Sequence, residues 1–557
     1  MTDSASPGNP IDRRRFLSSA SAAAALTLAP DAALRAADRA AAVHAARGAA
    51  RPIPRVSELD EVTLAGLAEG MANGRWTSRS IVTTYLDAIE RVDRNGPTLH
   101  AILETNPDAL AIAAALDDER RTRGPRGPLH GVPVLVKDSI GTADRMHTSA
   151  GSFALAQSIA PRDAFVVQRL RAAGAVILGK ANMSEWANAR GRGSIGGWSG
   201  RGGLTHNPYA LDRSAGGSSS GTAAAVSANL APVAVGSETM GSVVSPSAIC
   251  GIVGMKPTVG LVSRAGIIPV SYTQDTAGPM GRTVRDVAAL LSVIAGPDPA
   301  DTTTTQPARR SAVDFTAGLD PNALRGARIG VARNLFGTSV LADRIAERAL
   351  ETLRGAGAVV VDPAEVQSAS AIWTFDAEVL SFELKASLNE YLASLSPDCP
   401  VRSLADVIAY NLRHSDSEMA WFGQETFEYA QTRGPLTSPE YVNALRMVRQ
   451  LARTDGIDRT LAAHRLDAIV APTQSPAWLS DVLLGDNTML GSFVAPAAAG
   501  YPSISVPAGD VAGLPVGLLF IGGAWSDATL LRLAYAFEQR AGARRAPNFL
   551  PSITARP

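Results

Sequence analysis

Hydrophobic positions follow two spacings that alternate along the chain. After Thr77, which suits a helix N-cap, apolar residues recur every three or four positions and predict an amphipathic helix: Ile81, Val82, Tyr85, Leu86, Ile89 and Val92. The run 131–137 is instead continuously apolar up to Lys137. A short run of this kind predicts a buried strand, here with a charged residue at its end.

The alternation of helix and strand recurs farther along the chain. Asp163 is predicted to cap a helix through Ala173, and Gly174 is predicted to end it before a strand at 175–178. Further strands are expected at 328–332, 358–361, 466–471, 503–506 and 516–521, and further helices around 342–354 and at 527–541. This order predicts the α/β class, with a layered sheet covered by helices on both faces.

Residues 371–441 break this pattern. They read as mainly helical and hold 10 of the 29 aromatic residues, including Trp373, Phe375, Phe382, Trp421 and Phe422. An aromatic-rich insertion beside a sheet predicts a lining or a cover for a substrate pocket. For any single one of these aromatic residues, ordinary helix packing is an equal alternative.

The first forty residues are typical of an export signal. An arginine pair at 13–14, followed one residue later by Phe-Leu at 16–17, matches the twin-arginine pattern, and an Ala-rich apolar run follows at 20–29. That run is short of the roughly 20 residues that span a bilayer. Residues 1–45 are therefore predicted to be a twin-arginine signal and leader. The mature protein is expected to be exported, periplasmic or secreted, and not held in a membrane.

Composition narrows the function classes. The 557 residues include 52 Lys and Arg against 52 Asp and Glu, so the formal net charge is zero, and this argues against a nucleic-acid binder. Hydrophobic residues make up 46% of the chain and charged residues 19%, which allows a large core. The two cysteines, Cys250 and Cys399, exclude a disulfide framework and a Cys-rich metal site. Two free thiols are favoured over the alternative, one disulfide between them.

Two turns rich in glycine and hydroxyl groups carry the candidate chemistry. Residues 216–221 read Gly-Gly-Ser-Ser-Ser-Gly before a helix predicted from Thr222, and a strand predicted from Val233 runs into a turn with Gly241 and Ser242. Small residues just before a helix present N–H groups and hydroxyls to a bound group. Apolar runs interrupt the segment, which excludes a flexible linker.

Several separate blocks of the sequence resemble the amidase signature family. The segment 216–242, followed by Cys-Gly-Ile-Val-Gly-Met-Lys-Pro-Thr at 250–258, is similar to the family's signature. Further blocks match in order at 131–138, 471–473, 500–507 and 513–518. The resemblance covers about residues 57–540, and the stretches 184–203 and 258–279 bring it closest to bacterial peptide amidases.

The resemblance implies a fold, an activity and a catalytic triad. It implies a large mixed β-sheet between layers of α-helices, in a single amidase domain over 57–541 that includes the helical insertion. It also implies hydrolysis of small-molecule or peptide amides, such as peptide C-terminal amides, through an acyl-enzyme and without a cofactor or a metal. Carried onto the matching positions, Ser242 is the nucleophile, Ser218 the bridging cis-serine and Lys137 the base.

This chemistry requires residues of these types. A serine hydroxyl is a weak nucleophile until a base takes its proton, and none of the matching motifs offers a histidine next to the serines. Lys137 must therefore be neutral, which requires its pKa to fall from about 10.4 to roughly 7–8. Burial at the end of an apolar strand lowers the pKa of a lysine by desolvation.

The resemblance also points to the groups that would stabilise the oxyanion, namely the backbone N–H groups of Thr239, Met240, Gly241 and Ser242. The sequence departs from the family at one of them. Much of the family has Gly at the place of Met240, and the peptide amidases have Asp there. Because the donors are backbone groups, amide hydrolysis is expected to persist, while specificity is expected to move toward apolar or aryl acyl amides.

Two motifs suggest other enzymes. Residues 217–221 also match the G-x-S-x-G elbow of α/β-hydrolases, with Ser219 as nucleophile, but the residues before them make a poor strand. Residues 191–196 match G-x-G-x-x-G but follow a helical-looking segment rather than a strand. We therefore expect a loop there and no dinucleotide site.

Three alternative functions stay open. These are a broad aryl or alkyl acylamidase, a non-catalytic exported binding protein on an amidase scaffold, and an amidotransferase-type subunit. The intact Lys137, Ser218 and Ser242 argue against the binding protein. The export signal argues against a subunit that works with cytosolic partners.

Several polar residues near the motifs are expected to be structural. Lys180, Lys256 and Glu238 are interpreted as structural charges, His130 as a buried polar contact and Cys250 as a core residue. Buried groups of this kind normally have hydrogen-bond partners.

Overall fold

A mixed β-sheet forms the centre of the fold. The computed structural model describes residues 55–305, 314–487 and 491–553. The strands within these residues are β1 Ile102–Thr105, β2 Pro133–Lys137, β3 Val176–Ala181, β4 Trp198–Ser199, β5 Gly203–Leu204, β6 Val233–Glu238, β7 Val253–Lys256, β8 Thr276–Gly281, β9 Arg328–Val331, β10 Val359–Val361, β11 Ala468–Pro472, β12 Ser503–Val511 and β13 Leu514–Ile521. Eleven of these strands form the sheet, in the order β1-β3-β2-β6-β8-β7-β12-β13-β11-β9-β10, and β4 pairs separately with β5.

The sheet combines parallel and antiparallel pairs. β2 pairs in parallel with β3 and β6, and β9 pairs in parallel with β10 and β11. The remaining neighbours are antiparallel, including the long pair of β12 and β13. The large mixed sheet that the family resemblance implied is therefore confirmed.

Helices flank this sheet. In the same residues the α-helices are α1 Leu64–Ala72, α2 Ser78–Ala88, α3 Ala109–Arg123, α4 Phe165–Ala172, α5 Ser220–Ser227, α6 Val244–Ile249, α7 Val284–Ile294, α8 Val340–Gly355, α9 Trp373–Ala393, α10 Leu404–Arg413, α11 Ser415–Glu418, α12 Glu425–Gln431, α13 Pro439–Arg449, α14 Asp458–His464, α15 Val494–Ala499 and α16 Asp527–Ala541. Thr77 caps α2, as predicted, through a capping box with Ser80. Residues 371–441 are mainly helical, also as predicted.

The start of α4 differs from its prediction. The N-cap is Ala164, which makes no side-chain cap bond. The Asp163 carboxylate instead accepts hydrogen bonds from the backbone N–H of Ala143, at 2.7 Å, and from the Arg171 guanidinium, at 3.0 Å. Because both oxygens are used in this way, the predicted cap at Asp163 is wrong.

The described residues belong to one unit, Arg55–Pro557, which contains the predicted amidase domain at 57–541. Its largest apolar cluster packs strands β2, β3 and β6 against helices such as α2 and α7. The predicted signal and leader, residues 1–45, lie outside the described residues. No helix in the described ranges has the length and apolar character to cross a membrane, and those ranges hold no cluster of His, Cys, Asp and Glu that would bind a metal.

Candidate active site

Two parallel neighbouring strands end together at one edge of the sheet. β2 pairs with β6 in the register Val134↔Val233 and Val136↔Val235. Lys137, the last residue of β2, lies one position past the last of these pairs, and its Nζ donates a hydrogen bond to the Ser237 carbonyl oxygen over 3.0 Å. Such carboxyl ends are where sheets of the α/β class place their ligands.

Ser218 completes the surroundings of this lysine. Lys137 Nζ lies 2.8 Å from Ser218 Oγ, and both side chains are fully buried. The peptide bond between Gly217 and Ser218 is cis. The backbone N–H of Ser184 donates to the Ser218 carbonyl oxygen over 3.1 Å and holds the loop against the segment after β3. The fold thus brings the predicted base and the predicted bridging serine into contact.

The surroundings of Lys137 favour its neutral form. Burial lowers its pKa from 10.5 to about 7, while the carboxylates of Asp275 and Glu238 act in the opposite direction. A lysine with a pKa in this range is partly neutral near pH 7. It can therefore accept a proton from a neighbouring hydroxyl, as a general base must.

Ser242 lies in the turn between β6 and α6. Its backbone carbonyl oxygen accepts a hydrogen bond from the Ser219 N–H over 3.1 Å, which connects this turn to the loop that holds Ser218. Glu238 fixes the same turn from within, since its carboxylate accepts the N–H groups of Gly241 at 2.9 Å and Val243 at 2.7 Å. Glu238 is thus a structural charge, as predicted.

The hydrogen bond from the Gly241 N–H to Glu238 changes the set of backbone groups that can serve as oxyanion donors. The Gly241 N–H points to Glu238 and is not a free donor, so the expectation for Gly241 is corrected. The backbone N–H groups of Thr239, Met240 and Ser242 donate no hydrogen bond within the described residues. These three remain available to a bound carbonyl oxygen.

A cavity of about 830 Å³ opens at this turn. Ser242, Thr239 and Met240 line one part of it, together with Gly217 of the neighbouring loop. Helices α9 and α12 contribute other parts of the wall, with Leu384, Glu425 and Tyr429 among the lining side chains. The volume falls within the range of about 300–1,000 Å³ that is usual for small-molecule sites.

Most of the aromatic residues at 371–441 pack rather than line this cavity. Trp373 and Tyr429 line it, whereas Phe382 packs against Tyr441 with ring centroids 5.7 Å apart. The Phe422 ring lies against Trp198, with centroids 5.2 Å apart. Ordinary helix packing is thus the better interpretation for most of the aromatic side chains in this segment, although its helices do line the cavity.

The other buried lysines have different partners. Lys180 Nζ donates to the Ile140 carbonyl oxygen at 2.5 Å and to the Thr148 hydroxyl at 2.8 Å. Lys256 Nζ donates to the Tyr501 carbonyl oxygen at 3.0 Å. Their contacts are structural, as predicted, and neither lysine contacts a serine of the two turns.

The remaining candidates also have structural partners. His130 is fully buried, and its Nε2 lies 2.9 Å from the Leu116 carbonyl oxygen. Ser219 Oγ donates to the Ser237 carbonyl oxygen over 3.1 Å, and no strand runs directly into Ser219, so the α/β-hydrolase elbow is absent. Residues 191–196 form a loop, as predicted. Cys250 is a buried free thiol.

Comparison with known proteins places this fold and site in a family. The family model described as Amidase matches residues 80–531, most of the chain. This protein belongs to the amidase family. It is an amide hydrolase by that membership. The mixed sheet and the cavity described above are thus those of an amidase.

Three relatives illustrate the similarity. The X-ray structure of native peptide amidase from Stenotrophomonas maltophilia matches this amidase with a TM-score of 0.84 and 51% identity, covering 88% of this chain and 99% of the other. A "Probable amidase" of Arabidopsis thaliana is 41% identical over 88% of this chain and 92% of its own. A glutamyl-tRNA(Gln) amidotransferase subunit of Symbiobacterium thermophilum is 38% identical over 83% of this chain and 93% of its own.

Sequence reasoning missed two residues of this amidase site. Gln474 lines the cavity and exchanges hydrogen bonds with Ser245, through Oε1 at 2.9 Å and Nε2 at 3.1 Å. Asp275 accepts a hydrogen bond from the Thr239 hydroxyl at 2.6 Å. Gln474 directly follows the block at 471–473, and Asp275 lies within the block at 258–279. Both blocks carry the family resemblance, so this position in the sequence could have identified the two residues as part of the site.

Proposed function

We propose that this amidase hydrolyses linear amides, in particular the C-terminal amides of peptides, with Ser242 as nucleophile, Ser218 as proton bridge and Lys137 as base. The contact between Lys137 Nζ and Ser218 Oγ, beside the turn that carries Ser242 on the cavity, supports this proposal. The similarity to a peptide amidase over most of both chains supports the substrate class.

The acylation step follows from these positions. Ser242 Oγ attacks the amide carbonyl carbon, its proton passes to Ser218, and the Ser218 proton passes to Lys137 Nζ. The carbonyl oxygen becomes an oxyanion, which accepts hydrogen bonds from free N–H groups of the 239–242 turn. When the carbon–nitrogen bond breaks, the proton returns through Ser218 to the leaving nitrogen, and ammonia or an amine departs.

The deacylation step reverses the direction of the proton. The ester between Ser242 Oγ and the acyl group is attacked by water, which gives its proton through Ser218 to Lys137. Collapse of the second tetrahedral intermediate releases the carboxylic acid and returns the proton to Ser242. One amide and one water thus give one acid and one ammonia or amine, and the enzyme is unchanged.

The similarity to a glutamyl-tRNA(Gln) amidotransferase component favours a second candidate. In that case the chain would supply ammonia to a partner and would depend on that partner. The two functions differ in what the purified chain does alone. Steady release of both ammonia and a free carboxylic acid, without any added partner chain, is expected only of a self-sufficient amidase.

The experiment is a substrate panel with active-site variants. The purified protein is incubated with a peptide amide, an amino-acid amide and an aryl amide, and ammonia or amine release is followed. Ser242→Ala is expected to abolish turnover and labelling by a fluorophosphonate, while the protein stays folded. Ser247→Ala is the matched control, because Ser247 is a buried serine of α6 that does not line the cavity.

The labelled peptide identifies the nucleophile. A fluorophosphonate adduct on Ser242 is the expected result. An adduct on Ser219 or Cys250 would contradict the assignment, as would full activity of Ser242→Ala. No release of ammonia or amine from any of the three amides would contradict the proposed function itself.

A further inference from the structure

We propose that Asp275 is a positioning residue of this amidase, which holds the 239–242 turn in place through the hydroxyl of Thr239. The inference rests on the proposed function, because it assigns that turn to the oxyanion. Asp275 lies just before β8, next to the strand that leads into the turn. It does not line the 830 Å³ cavity and would act through Thr239, which does.

The carboxylate of Asp275 joins two segments of chain. Its Oδ1 accepts the hydrogen bond from Thr239 Oγ1 over 2.6 Å. Its Oδ2 accepts the backbone N–H groups of Val270 at 2.8 Å and Ser271 at 2.9 Å. Both oxygens are therefore used, one on the turn and the other on the loop that precedes β8. Three hydrogen bonds to one carboxylate fix the Thr239 side chain relative to that loop.

The turn thus has two carboxylate supports at its two ends. Glu238 accepts the N–H groups of Gly241 and Val243 and fixes the end of the turn that leads into α6. Asp275 fixes the beginning of the turn at Thr239. The backbone N–H of Thr239, one of the three free candidate donors, makes no hydrogen bond within the described residues, so the strand before it and this side-chain contact help to fix its position.

The contact also lies in a wall between two cavities. Thr239 and Val270 line the 830 Å³ cavity, and both also line a second cavity of about 300 Å³. Asp275 lines only the second cavity. A wall with space on both sides has fewer packing contacts than a core segment, so its conformation depends more on its hydrogen bonds. This makes the Asp275–Thr239 bond important for the geometry of the turn.

Asp275 also affects the base through its charge. Burial lowers the pKa of Lys137, and the charges that oppose this effect are those of Asp275 and then Glu238. Burial raises the pKa of Asp275 itself, while its hydrogen bonds from Thr239, Ser271 and Val270 and the nearby Arg264 guanidinium favour the ionised form. Removal of the Asp275 charge should therefore lower the pKa of Lys137 further.

Three variants separate position from charge. Thr239→Val removes the hydroxyl and keeps the shape, and kcat is expected to fall on the order of 10- to 100-fold with little change in KM. Thr239→Ser keeps a hydroxyl and should retain most of the activity. Asp275→Asn removes the charge, and it should both lower kcat and move the acid limb of the kcat/KM profile to lower pH.

Asp527 provides a matched control. Its carboxylate accepts the backbone N–H of Thr258 at 2.9 Å and the Thr258 hydroxyl at 2.5 Å. It is buried near another buried lysine, Lys256, but neither Asp527 nor Thr258 lines either of the two cavities. Asp527→Asn thus removes the same kind of contact elsewhere in the fold. It should lower the melting temperature and leave the acid limb where it is in the wild type.

The measurements are kcat, KM and the pH profile on one amide, with circular dichroism to confirm folding. The proposal is upheld if Thr239→Val lowers kcat, Thr239→Ser restores it and only Asp275→Asn moves the acid limb. It is overturned if folded Thr239→Val keeps the wild-type kcat, or if folded Asp275→Asn has the wild-type profile. If Asp275→Asn does not fold, the kcat values of Thr239→Val and Thr239→Ser decide whether the proposal is upheld or overturned. An inactive wild-type enzyme would instead contradict the proposed function.

Discussion

The amine of Lys137 lies 2.8 Å from the hydroxyl oxygen of Ser218, although the two residues are 81 positions apart in the chain. The parallel pairing of β2 with β6 brings the end of β2 to this place, and the N-terminus of α5 brings the serine loop to it. Both side chains are fully buried. The contact can therefore pass a proton only if the lysine gives up its charge, which burial favours.

The first prediction concerns the pH dependence of activity. Because burial lowers the pKa of Lys137 to about 7, kcat/KM should rise as the pH increases through about 7 and the amine becomes neutral. Lys137→Ala should lower kcat on the order of 10²- to 10⁴-fold and remove this limb. The measurement is a pH–rate profile on one amide substrate.

Lys180→Met is the matched control for this prediction. Lys180 is equally buried but donates to the Ile140 carbonyl oxygen and the Thr148 hydroxyl, not to a serine of the two turns. A folded Lys180→Met enzyme should keep the wild-type acid limb. Near wild-type rates in Lys137→Ala would show that the base lies elsewhere.

The second prediction concerns stability. Burial lowers the pKa of Lys137 to about 7 and the pKa values of Lys180 and Lys256 to about 8. Between pH 8 and 9 the unfolded chain therefore binds more protons at these lysines than the folded chain does, and the free energy of unfolding should rise with pH. Burial raises the pKa of the Cys250 thiol, so this group opposes the trend above its ordinary pKa of about 8.5, but one thiol is outweighed by three lysines between pH 8 and 9.

Guanidinium unfolding at pH 8 and at pH 9 measures this effect. The buried carboxyl groups Asp376 and Glu538, with pKa values that burial raises to about 7, are already ionised in this range. Lys256→Met should reduce the difference between the two pH values, since one titrating lysine is gone. A free energy of unfolding that stays constant or falls from pH 8 to pH 9 would disprove the argument.

Much of the framework of the site could be predicted from the sequence. The apolar run that ends at Lys137 is a fully buried strand, and the two glycine- and serine-rich turns face each other at its end. A continuous apolar run indicates a strand that is buried on both faces, so the strand that ends at Lys137 could be predicted from the sequence. Recognition of the family added the mixed sheet, which periodicity alone had not specified.

Other features depend on contacts that periodicity does not encode. Asp163 has the residue type of an N-cap, but its carboxylate bonds to Ala143 and Arg171, so tertiary contacts override the local preference. The hydrogen bond from Thr239 to Asp275 joins the residue after β6 to the residue before β8, and no pattern in the local sequence indicates it. Likewise, the pairing of Gly241 with Glu238 follows from the shape of the turn.

The third prediction concerns Gly241. Its φ is +77°, and a Cβ at this position would lie 2.5 Å from the Phe493 ring. Gly241→Ala should therefore displace the turn and lower kcat by more than about ten-fold. Gly513→Ala is the control, because Gly513 has φ +84° but no neighbour within 4 Å. That control should cost about 1–2 kcal/mol of stability and leave kcat unchanged; equal kcat values for the two variants would contradict the steric argument.

The fourth prediction concerns export. Arg13 and Arg14 precede Phe16-Leu17 in the pattern of a twin-arginine signal. Replacement of both arginines by lysine should leave the precursor in the cytoplasm, whereas a single change at Arg15, which follows the pair, should have a smaller effect. Amidase activity measured in periplasmic and cytoplasmic fractions is the test. Unchanged periplasmic activity in the double variant would refute this route.

The fifth prediction concerns Met240. Its side chain lines the cavity and packs beside the apolar cluster that contains Phe493 and Val244. The resemblance to peptide amidases implies Asp at this place in those enzymes, so this chain is expected to present apolar surface near the reacting carbonyl in place of a carboxylate. The backbone N–H of Met240 remains free to act as an oxyanion donor. Amide hydrolysis should therefore persist in Met240→Asp, while the preference between substrates changes.

The measurement is the ratio of kcat/KM for a peptide amide to kcat/KM for an aryl or alkyl amide. The wild type should accept apolar and aryl acyl groups, and Met240→Asp should shift the ratio toward the peptide amide. An apolar contact of this size is worth about 1–3 kcal/mol, so the ratio should change roughly 10- to 200-fold. Met240→Leu keeps the apolar surface and should leave the ratio close to that of the wild type. If the wild type strongly prefers the peptide amide and Met240→Asp leaves the ratio unchanged, Met240 does not set specificity, because its side chain then makes no contact that distinguishes the two acyl groups.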